Sequence, residues 1–183
     1  MLRNARVPIL GIAAWSGTGK TTLLRAVLPR LTAAGLRVGL VKHAHHKFEI
    51  DHPGKDSHTL RKAGATRVLA ASRRLRALIE ETHLEDDPLL DELLAGFPQE
   101  DLDLVLVEGF KHEHFPKIEL HRPALGRPLL FPEDPTVIAV ATDAPLPLPC
   151  PLPLIDLNDP QAVAAFILEY RARHLPAASA GGV

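Results

Sequence analysis

At 183 residues the chain has the length of one compact domain, and a composition of 46% hydrophobic and 23% charged residues supplies ample apolar mass for a core. Lys and Arg number 21 against 22 Asp and Glu, a net charge of -1, which argues against reliance on general electrostatic attraction to nucleic acid or an anionic membrane. The one unusual count is 17 prolines, eleven of them between Pro116 and Pro160.

The single cysteine, Cys150, sits between Pro149 and Pro151 with no neighbouring base. It reads as a small apolar filler and calls for no oxidising compartment. Arg3 and Arg6 precede an apolar run over residues 7–15 that resembles the start of a secretion signal. That run is too short, and it leads directly into Ser16-Gly17-Thr18-Gly19-Lys20-Thr21, which cleavage would destroy. No stretch approaches the ~20 apolar residues of a membrane span. The expectation is a soluble, cytoplasmic protein.

Residues 7–14 form a continuous apolar run, the pattern of a strand buried on both faces. Residues 20–34 then place Leu23, Leu24, Val27, Leu28 and Leu31 on one helical stripe, with Pro29 expected to end or bend the helix and Gly35 to stop it. Residues 36–41 read as a second buried strand, which completes a parallel crossover unit. Residues 42–56 are a polar, His-rich loop ending in Pro53-Gly54. Residues 57–63 spell a short helix closed by Gly64. Residues 66–72 and 75–82 alternate as a hairpin that turns at Arg73 and Arg74.

Residues 88–94 read as a further helix, and residues 104–107 as a third buried strand entered from Asp103 and left at Glu108-Gly109. A short strand over 118–120, a fourth buried strand over 137–142 and a terminal helix over 159–173 complete the pattern. That helix has Asn158 or Asp159 as cap and Pro160 in its first turn. The Pro-Leu alternation over residues 145–154 reads as a stiff, polyproline-like strap that must run along an edge or over the surface. The expected organisation is one α/β domain over residues 1–174: a P-loop NTPase-like, mostly parallel β-sheet flanked by helices. Residues 66–82 form a small β-hairpin extension, and residues 175–183 a disordered tail.

Ala14-Trp15-Ser16-Gly17-Thr18-Gly19-Lys20-Thr21 fits the P-loop pattern, with Ala14 where the first Gly usually stands. Around Ser16, Gly17, Thr18 and Gly19, small residues let backbone N–H groups turn inward on a phosphate. Lys20 supplies a point charge, the Thr21 hydroxyl ligates Mg²⁺, and Thr22 adds to the phosphate cradle at the helix N-terminus. The motif joins a buried strand to a helix, as its chemistry requires. Near the metal such a site also needs an acidic residue, at the carboxyl end of a neighbouring strand. Asp103 and Glu108 flank the third strand, but five residues separate them by roughly 16 Å, so only Glu108 reaches the phosphate side. Asp56 and Asp51, on the loop after the second strand, are further carboxylates able to orient water.

Lys42-His43-Ala44-His45-His46 leaves the second strand and Lys111-His112-Glu113-His114 the third, so both clusters are expected to face the nucleotide. They suit either hydrogen bonding around a phosphate or binding of Zn²⁺ or Ni²⁺. On the residues alone, three functions remain open. One is a nucleotide-binding adaptor with slow Mg²⁺-dependent hydrolysis, in which Lys20, Glu108 and Asp56 do the catalytic work. Another is a small-molecule kinase with Arg73, Arg74 and Arg76 on a lid, although no acceptor pocket is identifiable in the sequence. The third is a metallochaperone-type NTPase that uses the histidines.

Several segments together resemble the MobB family of molybdopterin-guanine dinucleotide biosynthesis accessory proteins. They are the P-loop through Leu24, Lys42-His43 with its following His pair, Pro53-Gly54-Lys55-Asp56-Ser57, and Glu108-Gly109-Phe110-Lys111-His112-Glu113. The likeness runs over about residues 9–170. It implies a P-loop protein that is a homodimer, binds GTP with weak hydrolysis and assists the molybdopterin guanylyltransferase. Guanine preference rests on the resemblance, because no Asn-Lys-x-Asp signature is present. Thr142-Asp143 and Asn158-Asp159, at the ends of late strands, are the positions for base-reading groups. For the dimer contact, the hairpin and the proline-rich region are the candidates.

Overall fold

A computed structural model describes residues 2–44, 51–82 and 84–174. Its elements in chain order are β1 (Ile9–Ala13), α1 (Lys20–Ala33), β2 (Val38–Lys42), α2 (Asp56–Lys62), β3 (Arg67–Ala71), β4 (Arg76–Glu80), α3 (Leu90–Gly96), β5 (Leu104–Glu108), β6 (Lys117–His121), β7 (Val137–Thr142), β8 (Leu154–Asp156) and α4 (Pro160–Arg173). The described residues fall into two compact units. One is built from the chain up to His43 and from Leu89 onward, the other from Ala44–Pro88.

The first unit is an α/β P-loop-type fold on a six-stranded sheet of order β2-β5-β1-β6-β7-β8, parallel throughout. β1 and β5 lie inside this sheet and are buried at every position, which explains their unbroken apolar runs. Successive side chains point to opposite faces. Leu10, Ile12, Leu104 and Leu106 therefore join Leu24, Val27 and Leu31 of α1 and Val163 and Ile167 of α4 in one core layer. Ile9, Val105 and Val107 face the other way and pack with Leu90 and Leu94 of α3. The Tyr170 hydroxyl of α4 donates to the Ile9 carbonyl at 2.8 Å, and burial pushes its pKa up to about 12.

Three expectations change. β2 is an edge strand, so its burial alternates and Leu40 is 40% exposed where burial on both faces was expected. Of the two outcomes expected at Pro29, an end to α1 is excluded: the helix runs on to Ala33. Pro29 and Arg25 are both exposed, so the carbonyl that loses its helical partner can turn to water. The third change is β8, the last three residues before Leu157, which pairs parallel to β7 at the far edge. It follows directly on Pro153, and an edge is where a proline-rich approach is tolerated.

β6 is unusual in its polar face. Ile118 and Leu120 enter the core layer of α1 and α4, while Lys117, Glu119 and His121 are all buried on the other side. Lys117 Nζ donates to the Glu113 carbonyl, to Asp134 Oδ2 at 3.0 Å and to Thr136 Oγ1 at 2.6 Å. Glu119 accepts from the backbone N–H groups of Leu130 and Phe131 at 2.8 and 2.9 Å. Buried charges are tolerated when they are paired and hydrogen-bonded in this way. Here they fasten the segment over residues 128–136 onto the sheet.

The second unit holds α2 and the antiparallel pair β3-β4, in register from Arg67↔Glu80 to Ala71↔Arg76. The Ser72 hydroxyl, which accepts from Arg74 and Leu75 N–H, shapes the turn, and Gly64 (φ 115°) follows α2. Asp51 alone is buried among the described residues of this unit.

Candidate functional site

The candidate phosphate site lies where β1 becomes α1. Gly17 and Gly19 adopt φ of 83° and 101°, left-handed values that glycine reaches without steric cost. Thr18 is buried and donates its hydroxyl to the Trp15 carbonyl at 2.9 Å, which closes the loop. α1 starts at Lys20 with no side-chain cap and no acidic residue in its first turn. Helical backbone donors are therefore not taken up by the chain's own carboxylates at the positive end of the helix dipole. Ser16, Gly17, Thr21 and Thr22 are exposed.

Lys20 Nζ donates to the carbonyls of Ala14 and Trp15 at 3.0 and 3.3 Å. Its pKa lies below the ordinary lysine value, chiefly because burial penalises the charge. Glu108 partly restores it, and the positive charges of Lys111 and Lys42 lower it further. An anion at the loop would relieve that penalty.

Glu108 ends β5 and is in register with Ile12 of β1 and with Lys42 of β2. The carboxylate is buried and accepts from Lys42 Nζ at 3.2 Å. Next to it, Gly109 (φ 99°) leaves room for His43: a Cβ there would lie 2.7 Å from the His43 Cβ. The His43 ring rests 4.7 Å from that of Phe110. Asp103 stands at the opposite end of β5, where it accepts from Arg37 N–H at 2.9 Å and pairs with Arg171. The Arg37 backbone hydrogen bond is the main cause of its lowered pKa.

The carboxyl ends of β6 and β7 add a group that sequence reasoning missed. Arg122 follows β6 directly, and its Nε donates to the Thr18 carbonyl of the P-loop at 3.0 Å. Nη1 of the same guanidinium pairs with Asp143 and reaches Asn158 Oδ1 at 3.4 Å. The strand-end rule that selects Glu108 also points to Arg122. A cavity of about 200 Å³ lies here, lined by Thr22, Leu23 and Ala26 of α1 with Arg122, Leu157 and Asn158. Asp143 is thus held beside this cavity by Arg122. The Thr142 hydroxyl is engaged in its own turn, donating to Ala144 O at 2.7 Å.

Asp56 lies in the second unit, exposed at the start of α2, and Asp51 there accepts from the Ser57 hydroxyl at 3.1 Å. His45 and His46 lie outside the described residues. His112 and His114 are exposed, and Glu113 is occupied as acceptor for Leu90 N–H at the start of α3. Among the described residues no group of three or more His, Cys, Asp or Glu comes together to hold a metal ion. No described helix is long and apolar enough to cross a membrane.

Comparison with known proteins agrees with this geometry. Residues 9–143 match the family model described as molybdopterin guanine dinucleotide synthesis protein B, MobB. The chain is 48% identical over 171 residues to the molybdopterin-guanine dinucleotide biosynthesis adapter protein of Escherichia coli (strain K12), covering 93% of this chain and 97% of that protein. With the adapter protein of Haemophilus influenzae it shares 44% identity over 166 residues, 90% of this chain and 89% of that one. A crystal structure of molybdopterin-guanine biosynthesis protein B superposes with a TM-score of 0.70 at 28% identity, covering 90% of this chain and 99% of that one. The chain belongs to the MobB family.

Proposed function

We propose that this member of the family is an adapter in molybdopterin-guanine dinucleotide biosynthesis that binds Mg²⁺ and GTP, hydrolyses the nucleotide slowly and assists the guanylyltransferase in the cytoplasm. The observation that carries the nucleotide reading is the junction of β1 and α1. There an uncapped helix start, two left-handed glycines and a desolvated Lys20 converge on the carboxyl edge of a parallel sheet.

Ser16 to Thr22 hold the phosphates, and Lys20 leaves the Ala14 and Trp15 carbonyls to pair with them. Thr21, at the mouth of the loop, and Glu108, a buried carboxylate at the adjacent strand end, form a hard oxygen donor set that suits Mg²⁺. Mg²⁺ would screen the charge of the β and γ phosphates. Lys42 fixes the Glu108 carboxylate, and catalysis is charge stabilisation and placement. The base occupies the cavity beside Arg122, and Asp143, outside its lining and paired with Arg122, would turn a carboxylate to the adjacent N–H donors on the guanine edge. Adenine lacks that donor pair.

Calorimetric titration with GTP and ATP in the presence of Mg²⁺ tests this. GTP binding that is tighter than ATP binding and weakened at least about tenfold in Lys20→Ala is the expected result. Equal affinities would remove the guanine assignment, and unchanged GTP affinity in Lys20→Ala would remove the site.

The homodimer forms through the hairpin. Leu69 and Leu78 are cross-strand partners at 66% and 62% exposure, an apolar pair that suits a second copy. Sedimentation of Leu69→Asp/Leu78→Asp should give a monomer, and an unchanged dimer would exclude this surface.

A further inference from the structure

A second cavity, of about 490 Å³, adjoins the P-loop at Trp15 and is lined by Lys111, His112, His114, Leu129 and Leu130. None of these residues lines the cavity beside Arg122. Its volume is within the ~300–1,000 Å³ of small-molecule sites. The geometry points to a binding site for a flat heterocycle that carries an anionic group, namely a phosphorylated pterin held next to the nucleotide phosphates.

Trp15 is fixed by its indole Nε1, which donates to the Pro128 carbonyl at 2.8 Å. Lys111 Nζ stands 4.0 Å from the centre of its ring and the Arg127 guanidinium 6.0 Å. An indole face beside two cations suits a ring that stacks and an anion that pairs. The ring takes the place of the Lys111 ammonium over Trp15, and Lys111 and Arg127 turn to its phosphate, with His112 and His114 as further donors.

The opposite wall is built to stay in place, because Glu119 grips the N–H groups of Leu130 and Phe131. The two acidic residues of the lining are unequal. Asp134 is neutralised by the buried Lys117, which leaves the exposed Glu133 of the lining against Lys111, with the Arg127 guanidinium beside the Trp15 ring as a second cation. The cavity is therefore basic in balance. It is also electrostatically linked to the phosphate site, since Lys111 lowers the pKa of Lys20 and the Trp15 carbonyl accepts from both Lys20 and Thr18. An anion over Lys111 would ease the charging of Lys20. The ring-plus-anion chemistry comes from the cavity itself, whereas the choice of a pterin rests on the family reading above.

Trp15 is the chain's single tryptophan, so its fluorescence reports this cavity. The test titrates the full chain with pterin-6-carboxylate, by Trp15 fluorescence and by calorimetry, with and without saturating Mg²⁺ and GTP. Saturable binding that persists with GTP present is expected. Lys111→Ala/Arg127→Ala should weaken it at least about tenfold, as should replacing the probe by uncharged 6-methylpterin, while GTP affinity changes less than about threefold. Leu130→Glu, which puts a negative charge into the wall, should weaken it similarly and guards against misfolding of the double variant.

The proposal is overturned by absent or unsaturable binding, by loss of the probe once GTP saturates, or by full affinity in both variants. Loss of the probe on GTP saturation would place the ring in the nucleotide site. Pterin binding retained in Lys20→Ala separates this site from the nucleotide reading: if GTP fails to bind at all, only that reading falls.

Discussion

In the sheet unit β1 and β5 are buried at all five of their positions, whereas in the hairpin unit no position of β3 or β4 is buried. Both pairs carry apolar side chains at similar density. The difference lies in what covers them. α1, α4 and α3 bury the sheet on both faces within the same unit. The hairpin leaves Leu69, Leu75 and Leu78 at more than 60% exposure. A two-stranded hairpin is marginal on its own in water, and like-sized leucines therefore carry stability in one unit and lie exposed in the other.

The sharpest way to break this contrast is to truncate a leucine in each unit. Leu106→Ala in β5 should cost about 2–5 kcal/mol in urea unfolding. A comparably small loss would mean that the sheet does not carry the stability of the fold. Lys117→Met comes next. It strands Asp134 and frees the segment over residues 128–136, with an expected cost of about 3 kcal/mol. A stable Lys117→Met would show that apolar packing alone can hold that face.

Lys20→Ala should leave the melting temperature unchanged or slightly raised, because a desolvated charge is removed. It should lower GTP affinity tenfold to a hundredfold. A large fall in melting temperature would assign Lys20 to structure. The pH dependence has a definite sign. Burial lowers the Lys20 pKa in the free protein, and a bound anion raises it again. Affinity is therefore full below the free-state pKa, which lies under 10.5, and falls as pH rises through it, with proton uptake on binding. Calorimetry in buffers of different ionisation enthalpy measures that uptake. The smallest effect is expected for Leu69→Ala, within about 0.5 kcal/mol in the unfolding of the isolated chain, with its consequence visible in sedimentation.

Local pattern identified most elements because each burial requirement leaves a period or a run in the sequence. The hairpin turning at Arg73 and Arg74, the Val137–Thr142 strand and the Asp159 cap of α4, which accepts from Gln161 N–H, needed only neighbours a few residues away. The errors have one cause. Whether β2 is central or at an edge depends on which strands flank it, and periodicity over six residues cannot say. Whether Pro29 ends a helix depends on whether the freed carbonyl meets solvent, which is a matter of packing. β8 was hidden in the Pro-Leu alternation because a three-residue edge strand is defined by its partner β7.

The site divides in the same way. The P-loop is contiguous, and the backbone conformation and charge its chemistry needs are encoded by adjacent Gly, Thr and Lys residues. The position of Glu108 at the carboxyl end of β5 followed from direction along a strand. Arg122 is far from the P-loop in sequence and meets it through a carbonyl hydrogen bond to Thr18, and the cavity at Trp15 joins the loop after β5 to the segment over residues 128–134.

The sequence by itself determined the parallel α/β architecture, the glycine-containing turn between β1 and α1 and the family, since each resides in short stretches whose physics is local. Only the tertiary structure decided which strands are edges, that Arg122 ties the P-loop to Asp143, and that Trp15 and Lys111 line one cavity with Arg127 beside the Trp15 ring. Those facts depend on distance in space between segments far apart in the chain, which is set by how the two faces of the sheet are covered.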